Sequence, residues 1–505
     1  MHGGFDSARR RSITRNAVKG RVPLLDSAAV TAVPSRSFWR GPWPWVLAAA
    51  LLAVVALVRW REEKTRMVDP RPPGTADDIA AFKQRTDTNV VFVLIDTLRA
   101  QHLRTYGYVR PTSPFLDFLA SQGIRFARQM SQSSWTKCSM ASLWTGLYPQ
   151  HSGVTRFDDV IPTEAKTAAE VFREAGFRTA GIWRNGWVEG YFGFKQGFDV
   201  YTRPNMRTAP AEIRRKNPTL LQGGTDMDVV EEAAEFLRIN KRDRFLLYLH
   251  LMDVHEYTYD EETAKFGTNY RDVYDNAVLH VNQVLDAMFA VLYREGLLAN
   301  TVIIIGSDHG EAFGERETEG HARDVYPEVT EVPLVFGLPF RLAKPVVVTN
   351  RTANVDLWPT VLDLFGLPPM EGVDGRSRMP EILAAARGEP APPDDDTVIA
   401  HLDQTWGQRV ETRSPNVAIS QNSFRYVQFR NPKGRTNEEL FDAHRDPEER
   451  ENRVEAEAEV TKRLRDEVDA YLSSESRWKE KPDRLKLDEM HLNQLRALGY
   501  ALPAR

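Results

Sequence analysis

Three hydrophobic runs in this chain each end in residues that can hold a metal or move a proton. NVVFVLI (89–95) is followed at once by Asp96. RFLLYLHL (244–251) leads to Asp253 and His255, and TVIIIGS (301–307) to Asp308 and His309. Two carboxylates and an imidazole, with one further oxygen, make a four-ligand set for a divalent cation, and the imidazole favours Zn or Mn over Ca. A metal of this kind activates a nucleophile. One stretch, SQSSWTKCSMASLWTGLYP (131–149), packs Thr136, Cys138, Ser139 and Ser142 into seven residues, and Cys138 is the single cysteine of the chain. The residue types alone leave open which of these oxygens or sulfurs attacks.

The elements around these residues predict how they meet. The runs at 89–95, 177–183, 244–251, 301–307 and 332–338 read as strands. The first is rich in β-branched residues, as in a strand buried on both faces of a parallel sheet. Helical patterns lie between them. Ser113-Pro114 opens one that Gly123 closes, and 227–240, 273–296 and 355–367 carry others. This alternation predicts an α/β fold with a doubly wound, mostly parallel sheet flanked by helices. In such sheets ligands sit beyond the carboxyl ends of the strands, where Asp96, Asp308 and His309 fall. Residues 138–145 read as a helix, which places Thr136 at its N-terminus, where free N–H groups and the helix dipole favour an alkoxide and a bound oxyanion. His250 alternates with Leu251 along its strand and reads as a core residue.

Composition narrows the function. The 505 residues are 42% hydrophobic and 27% charged, with a net charge of −4, so there is no basic excess for a nucleic-acid partner. One cysteine excludes an internal disulfide. The run Pro42–Trp60 has no charge between Arg40 and Arg59. Eighteen residues of helix reach roughly 27 Å, close to the hydrocarbon thickness. Eight Lys/Arg and two acids precede it. The positive-inside rule then predicts a single-pass signal anchor with a cytoplasmic N-terminus. The compact basic start and short anchor point to a bacterial inner membrane, with the catalytic domain in the periplasm. The expected organisation is a disordered basic segment (1–42), a transmembrane anchor (43–60), a tether (61–88), a catalytic domain (89–390), a small C-terminal α+β subdomain (391–475) and a tail (476–505).

NVVFVLIDTLRAQHLRTYGYVRPTSPFLDFLASQGIRF, SSWTKCSMASLWTGLYPQHSGV, FLLYLHLMDVHEYTY and TVIIIGSDHGEAFGE…EGHARDVYPEVTEVPLVF, in that order, resemble the sulfatase family of the alkaline phosphatase superfamily. NVDLWPTVLDLFGLPPMEGVDGRS and EELFDAHRDPEERENRV are similar to that family's C-terminal signatures, so the resemblance runs from about 89 to 475. It implies an alkaline phosphatase-like fold. The family's nucleophile motif is Cys-x-Pro-Ser-Arg-x-x-Leu-x-Thr-Gly. Anchored on Leu143-x-Thr145-Gly146, it puts Thr136 at the nucleophile position, Cys138 where the motif has proline, and Met140 where it has arginine. The resemblance therefore implies no formylglycine. A Thr nucleophile, itself a metal ligand, is similar to the phosphoethanolamine transferase, lipoteichoic acid synthase and nucleotide pyrophosphatase/phosphodiesterase branches.

By the same resemblance, Asp96, Thr136, Asp308 and His309 would hold the metal. His255 would contact a non-bridging substrate oxygen, and His321 would bind substrate or assist the leaving group. Arg184 and Asn185 stand where sulfatases carry a Lys-Trp-His substrate motif, and Asn185 is the assigned substrate contact. Thr97 replaces the second Asp of the family's Asp-Asp pair, and no second ligand set is evident, so one metal is expected. The leading expectation is attack of Thr136 on a phosphoester, on a lipid-linked or envelope substrate, by a hydrolase or transferase. The alternatives are a sulfatase working without formylglycine and an inactive binding protein of the same fold.

Overall fold

The computed structural model describes residues 45–52, 69–204, 224–431, 433–478, 484–496 and 502. Residues 1–69 and 70–505 form two separate units. Of the first, Trp45–Leu52 is an exposed helix, while the rest of the apolar run, Trp43 and Trp60 included, lies outside the described residues. No described helix is long and apolar enough to cross a membrane.

The second unit is built on an eight-stranded sheet. Its strands are β1 (Asn89–Ile95), β2 (Ile124–Met130), β3 (Arg178–Trp183), β4 (Val200–Thr202), β5 (Phe245–Leu251), β6 (Thr301–Gly306), β7 (Leu334–Gly337) and β8 (Val346–Ala353). The spatial order is β8-β2-β7-β6-β1-β5-β3-β4. Only β7 runs antiparallel to its neighbours. Every residue of β1, β5 and β6 is buried, which explains their unbroken apolar sequences: both faces are covered. Two clusters do the covering. One gathers Phe92, Trp144, Tyr248 and Trp358, and the other Val91, Leu247, Tyr274 and Leu285.

Register decides where the reactive residues meet. Leu94 pairs with both Gly306 and His250, and Ile95 with Leu251. Trp183 pairs with His250. The carboxyl ends of β6, β1, β5 and β3 therefore finish level, and Asp308, Asp96, Asp253 and Asn185 leave the sheet at one edge. β2 runs in the same direction and delivers the segment that leads to α2.

The helices that bear on the site are α1 (Pro114–Ser121), α2 (Thr136–Thr145), α3 (Ala168–Glu174), α4 (Asp226–Asn240), α5 (Tyr270–Arg294) and α6 (Leu357–Phe365). α2 starts at Thr136 and stops at Gly146, whose φ of 67° is a left-handed helix cap that glycine adopts without strain. Ser113 precedes α1 with Pro114 in its first turn, as the sequence predicts. Beyond α7 (Met379–Arg387) a four-stranded antiparallel sheet follows: β9 (Val398–Asp403), β10 (Pro415–Gln421), β11 (Phe424–Asn431) and β12 (Gly434–Asp442). Helix α8 (Ala458–Ser473) buries Leu464, Val468 and Tyr471 against it. The strands β2 and β8 escape the sequence pattern because arginines and other polar residues interrupt them.

Candidate active site

Asp96, Asp308 and His309 offer ligand atoms that all lie within 4.8 Å of one another, and all three are buried. His309 Nε2 is 3.4 Å from Asp308 Oδ2 and 3.7 Å from Asp96 Oδ1. Its Nδ1 lies 3.0 Å from the Gly310 carbonyl, which fixes the proton there and leaves Nε2 as a lone-pair donor. Burial, and then the charge of His321, drive the His309 ring down to about 3, so it is neutral.

Asp96 Oδ1 and both Asp308 oxygens are buried without a hydrogen-bond partner. Burial and the neighbouring Asp96 charge push the Asp308 carboxyl well above its usual range. Asp96 goes the other way. Burial alone would raise it, but the hydrogen bond from His250 holds it well below the carboxylate range. Two buried carboxylates with orphaned oxygens beside a neutral imidazole nitrogen fit a divalent cation, whose charge would satisfy all of them.

Thr136 completes the set. It is the first residue of α2, and the residue before it, Trp135, makes no side-chain cap. The Thr136 hydroxyl is therefore not spent on capping. Its Oγ1 lies 3.2 Å from His309 Nε2 and 3.5 Å from Asp96 Oδ2. Asn185 Nδ2 donates to Asp96 Oδ2 at 2.6 Å and to Thr136 Oγ1 at 3.3 Å. Ser139, one turn on, donates to the Asp308 carbonyl at 2.6 Å and ties α2 to the end of β6. Lys137 points the other way. Its ammonium donates to the carbonyls of Arg156 and Phe157 at 3.2 and 2.7 Å and lies 3.7 Å over the Phe192 ring. Thr136 is thus anchored from both sides.

Cys138 is not part of this arrangement. It is buried, its thiol faces the His401 carbonyl at 3.8 Å, and burial raises its pKa to about 12. A thiol held protonated is a poor nucleophile. The His255 and His321 rings lie 5.0 Å apart between centroids, tilted by 59°, and His321 lies 4.6 Å from the His309 ring. Every residue predicted from sequence for the site (Asp96, Thr136, Asn185, His255, Asp308, His309 and His321) thus falls in one cluster.

Two residues belong there that sequence reasoning missed. His250 is not plain core: its Nε2 faces Asp96 Oδ2 at 3.0 Å, and its Nδ1 faces the Tyr248 hydroxyl at 2.6 Å. A signal existed, since it sits one residue from the carboxyl end of a central strand. Glu311 is the second. It is buried, and its Oε2 lies 2.9 Å from His321 Nδ1. Against the effect of burial, the Glu311 charge raises the His321 pKa. Arg184, in contrast, turns away from this cluster. It binds Asp226 and Asp253 at 2.6 Å through Nη1 and Glu256 at 2.6 Å through Nη2. It thus ties the end of β3 to the segment that carries His255. Thr97 follows Asp96 with a φ of 62°, rare for a β-branched residue; its carbonyl accepts from the Tyr274 hydroxyl at 2.7 Å.

Comparison with known proteins agrees with this geometry. The Sulfatase family model matches residues 88–367, and that of the N-sulphoglucosamine sulphohydrolase C-terminal region matches 321–474. The chain belongs to the sulfatase family. Among relatives, it is 25% identical over 332 residues to an ulvan-active sulfatase of Formosa agariphila, covering 57% of this chain and 64% of that protein. It is 22% identical to a Delta 4,5-hexuronate-2-O-sulfatase of Bacteroides thetaiotaomicron, covering 74% and 86%. In structure it resembles the phosphonate monoester hydrolase of Agrobacterium radiobacter, with a TM-score of 0.60, 18% identity and coverage of 76% and 95%. As a sulfatase-family hydrolase the chain has the alkaline phosphatase-like fold, with a mixed central sheet. The curated relatives are sulfatases, which puts sulfuric ester hydrolysis ahead of the phosphoester reading that led from the sequence.

Proposed function

We propose that this sulfatase-family protein hydrolyses a sulfuric ester through Thr136, without formylglycine. The observation that carries this is the Thr136 hydroxyl at the N-terminus of α2, 3.2 Å from His309 Nε2, amid the buried Asp96, Asp308 and His309. Asp96, Thr136, Asp308 and His309 would hold one divalent cation, Zn or Mn. That ion would supply positive charge that lowers the pKa of the Thr136 hydroxyl and offsets the charge of the sulfate oxygens.

The residues of the chain do the rest. Thr136 Oγ1 forms a bond to sulfur as the bond from sulfur to the ester oxygen breaks, its hydroxyl proton having been given up to water. The leaving alkoxide takes its proton from His321, which Glu311 orients and whose protonated form the Glu311 charge favours. His255 binds a non-bridging oxygen. Asn185 holds the Asp96 and Thr136 oxygens in place. Thr136 carries one hydroxyl and no geminal partner, so the sulfate cannot leave by collapse to an aldehyde. Water must attack the sulfur of the Thr136 ester, breaking its bond to Oγ1 and regenerating the alcohol.

A phosphoester is the second reading, and the same residue favours it: a simple alcohol makes a phosphoryl ester that water cleaves at phosphorus. The apolar run at 43–60 supports a membrane-anchored, periplasm-facing enzyme acting on an envelope or lipid-linked ester, with no nucleic-acid partner.

The test assays the Mn- or Zn-loaded chain on aryl sulfate, phosphomonoester and phosphodiester, with Thr136→Ala and Cys138→Ala beside it. Sulfate turnover that is lost in Thr136→Ala and kept in Cys138→Ala supports the proposal. Turnover of phosphoesters alone selects the second reading. Activity that survives Thr136→Ala overturns the assignment of the nucleophile.

A further inference from the structure

Two adjacent residues at the end of β3 serve different parts of the site. Asn185 turns its amide to Asp96 and Thr136. Arg184 turns its guanidinium to the segment 252–258, which carries His255. It grips that segment on both sides of the histidine. Nη1 donates to Asp253 Oδ1, two residues before His255, and Nη2 to Glu256 Oε2, one residue after it, each at 2.6 Å. The segment is closed on itself between these two points. The Glu256 N–H donates to the Met252 carbonyl at 2.9 Å, that of Tyr257 to Val254 at 3.1 Å, and that of Thr258 to Asp253 at 2.7 Å. His255 therefore moves only with the neighbours that Arg184 holds.

A third carboxylate braces the same guanidinium. Asp226, the first residue of α4, accepts from Arg184 Nη1 at 2.6 Å and from the backbone N–H groups of Met252 and Asp253 at 2.8 Å each. Asp253 Oδ2 accepts the Asp226 N–H at 3.0 Å and lies 3.7 Å from His280 Nε2 on α5. Arg184, Asp226 and Asp253 are buried, and the Glu256 side chain is 16% exposed.

An arginine kept for stability needs one carboxylate. Three around one guanidinium leave surplus negative charge in a poorly solvated space, which costs stability. Burial, and then the Asp253 charge, raise the Asp226 pKa to about 6, and burial raises that of Glu256. What the array achieves instead is geometry. A planar, two-pronged donor fixes its acceptors in direction as well as distance, which a single ammonium does not. A site residue must be held to within about 0.5 Å of its working position by groups of this kind.

We propose that Arg184 is a positioning residue for His255, acting through Asp253 and Glu256, which flank it. With Asn185 it makes one dipeptide that sets the nucleophile and the oxygen-binding histidine relative to each other. The proposal rests on the assignment of His255 to a non-bridging oxygen of the ester.

The experiment is calorimetric titration of the full-length, Mn-loaded chain with inorganic sulfate and inorganic phosphate, for the wild type, Glu256→Ala, His255→Ala, the double variant and Arg184→Lys. Glu256→Ala removes one grip and some of the surplus charge, so it should melt within a few degrees of the wild type. It is expected to bind the anions about tenfold more weakly, as His255→Ala does, and to cost nothing further once His255 is gone. Arg184→Lys keeps the charge but not the fork, and should weaken binding to a similar extent. A cluster that serves only the fold would leave anion binding unchanged. Binding by Glu256→Ala at wild-type affinity, an equal loss with and without His255, or a wild type that binds neither anion overturns the proposal. The reading of Thr136 is judged separately, by turnover in Thr136→Ala, because anion binding needs no reaction.

Discussion

His250 Nε2 lies 3.0 Å from Asp96 Oδ2, and Tyr248 holds the other ring nitrogen of the same histidine at 2.6 Å. The Tyr248 hydroxyl donates to Nδ1, which leaves the proton on Nε2 for the carboxylate. Asp96 is thereby fixed from behind while Oδ1 stays unbonded for a cation. Removing such a support typically costs about 10–100-fold in metal affinity. His250→Ala should lose metal to a competing chelator about that much more readily than the wild type. Equal affinity would reduce His250 to packing.

Asp96 and Asp308 are neighbouring buried carboxylates, so a cation held between them would couple to the fold. Chelation should lower the melting temperature of the wild type. Asp308→Asn removes the repulsion and should melt above the wild type when both are metal-free, by about 1–3 kcal/mol, and lose activity when both are loaded. Melting curves with and without chelator decide this. A variant less stable in both states would sink the idea that a cation balances this pair.

The buried thiol of Cys138, held protonated by its surroundings, should not react with iodoacetamide in the folded chain at neutral pH. Mass spectrometry before and after urea unfolding checks it. Cys138→Ala should keep full activity at a stability cost of about 1–2 kcal/mol from the small void it leaves. Rapid alkylation with parallel loss of activity would return Cys138 to the candidates.

Glu449 is 2% exposed, and burial raises its pKa from 4.5 to about 7, against the pull of Arg425 and Arg316. An acid whose pKa is higher in the folded chain lends most stability below its unfolded value. That contribution disappears as pH rises through 7. Between about pH 4.5 and 7 the wild type should therefore lose up to about 3 kcal/mol relative to Glu449→Gln, which does not titrate. Urea unfolding of both proteins across this window measures the difference. Parallel curves would show that the two arginines keep Glu449 ionised throughout.

The amino-acid sequence by itself determined the buried strands and the carboxylates and histidine at their ends, and its resemblance to the sulfatase motif set the expectation that Thr136 rather than Cys138 stands at the nucleophile position. These are local facts: an unbroken apolar run, a residue that follows it, a spacing to Thr145-Gly146. Strands interrupted by arginine, such as β2 and β8, lack that local signature and appear only as partners of others.

Tertiary structure alone decided the roles of His250, Glu311 and Arg184 and the burial of Arg351. His250 meets Asp96 across 154 residues of chain because β5 happens to lie beside β1 in matching register. Arg184 follows a strand in the manner of a substrate contact, yet three carboxylates from the neighbouring segments capture it. Arg351 is one arginine among many in sequence. The bulge in β8 and the turn after β10 bury it. A periodic pattern reports which face of an element is buried; which charges then share that buried space depends on strand order and register, which no local pattern contains.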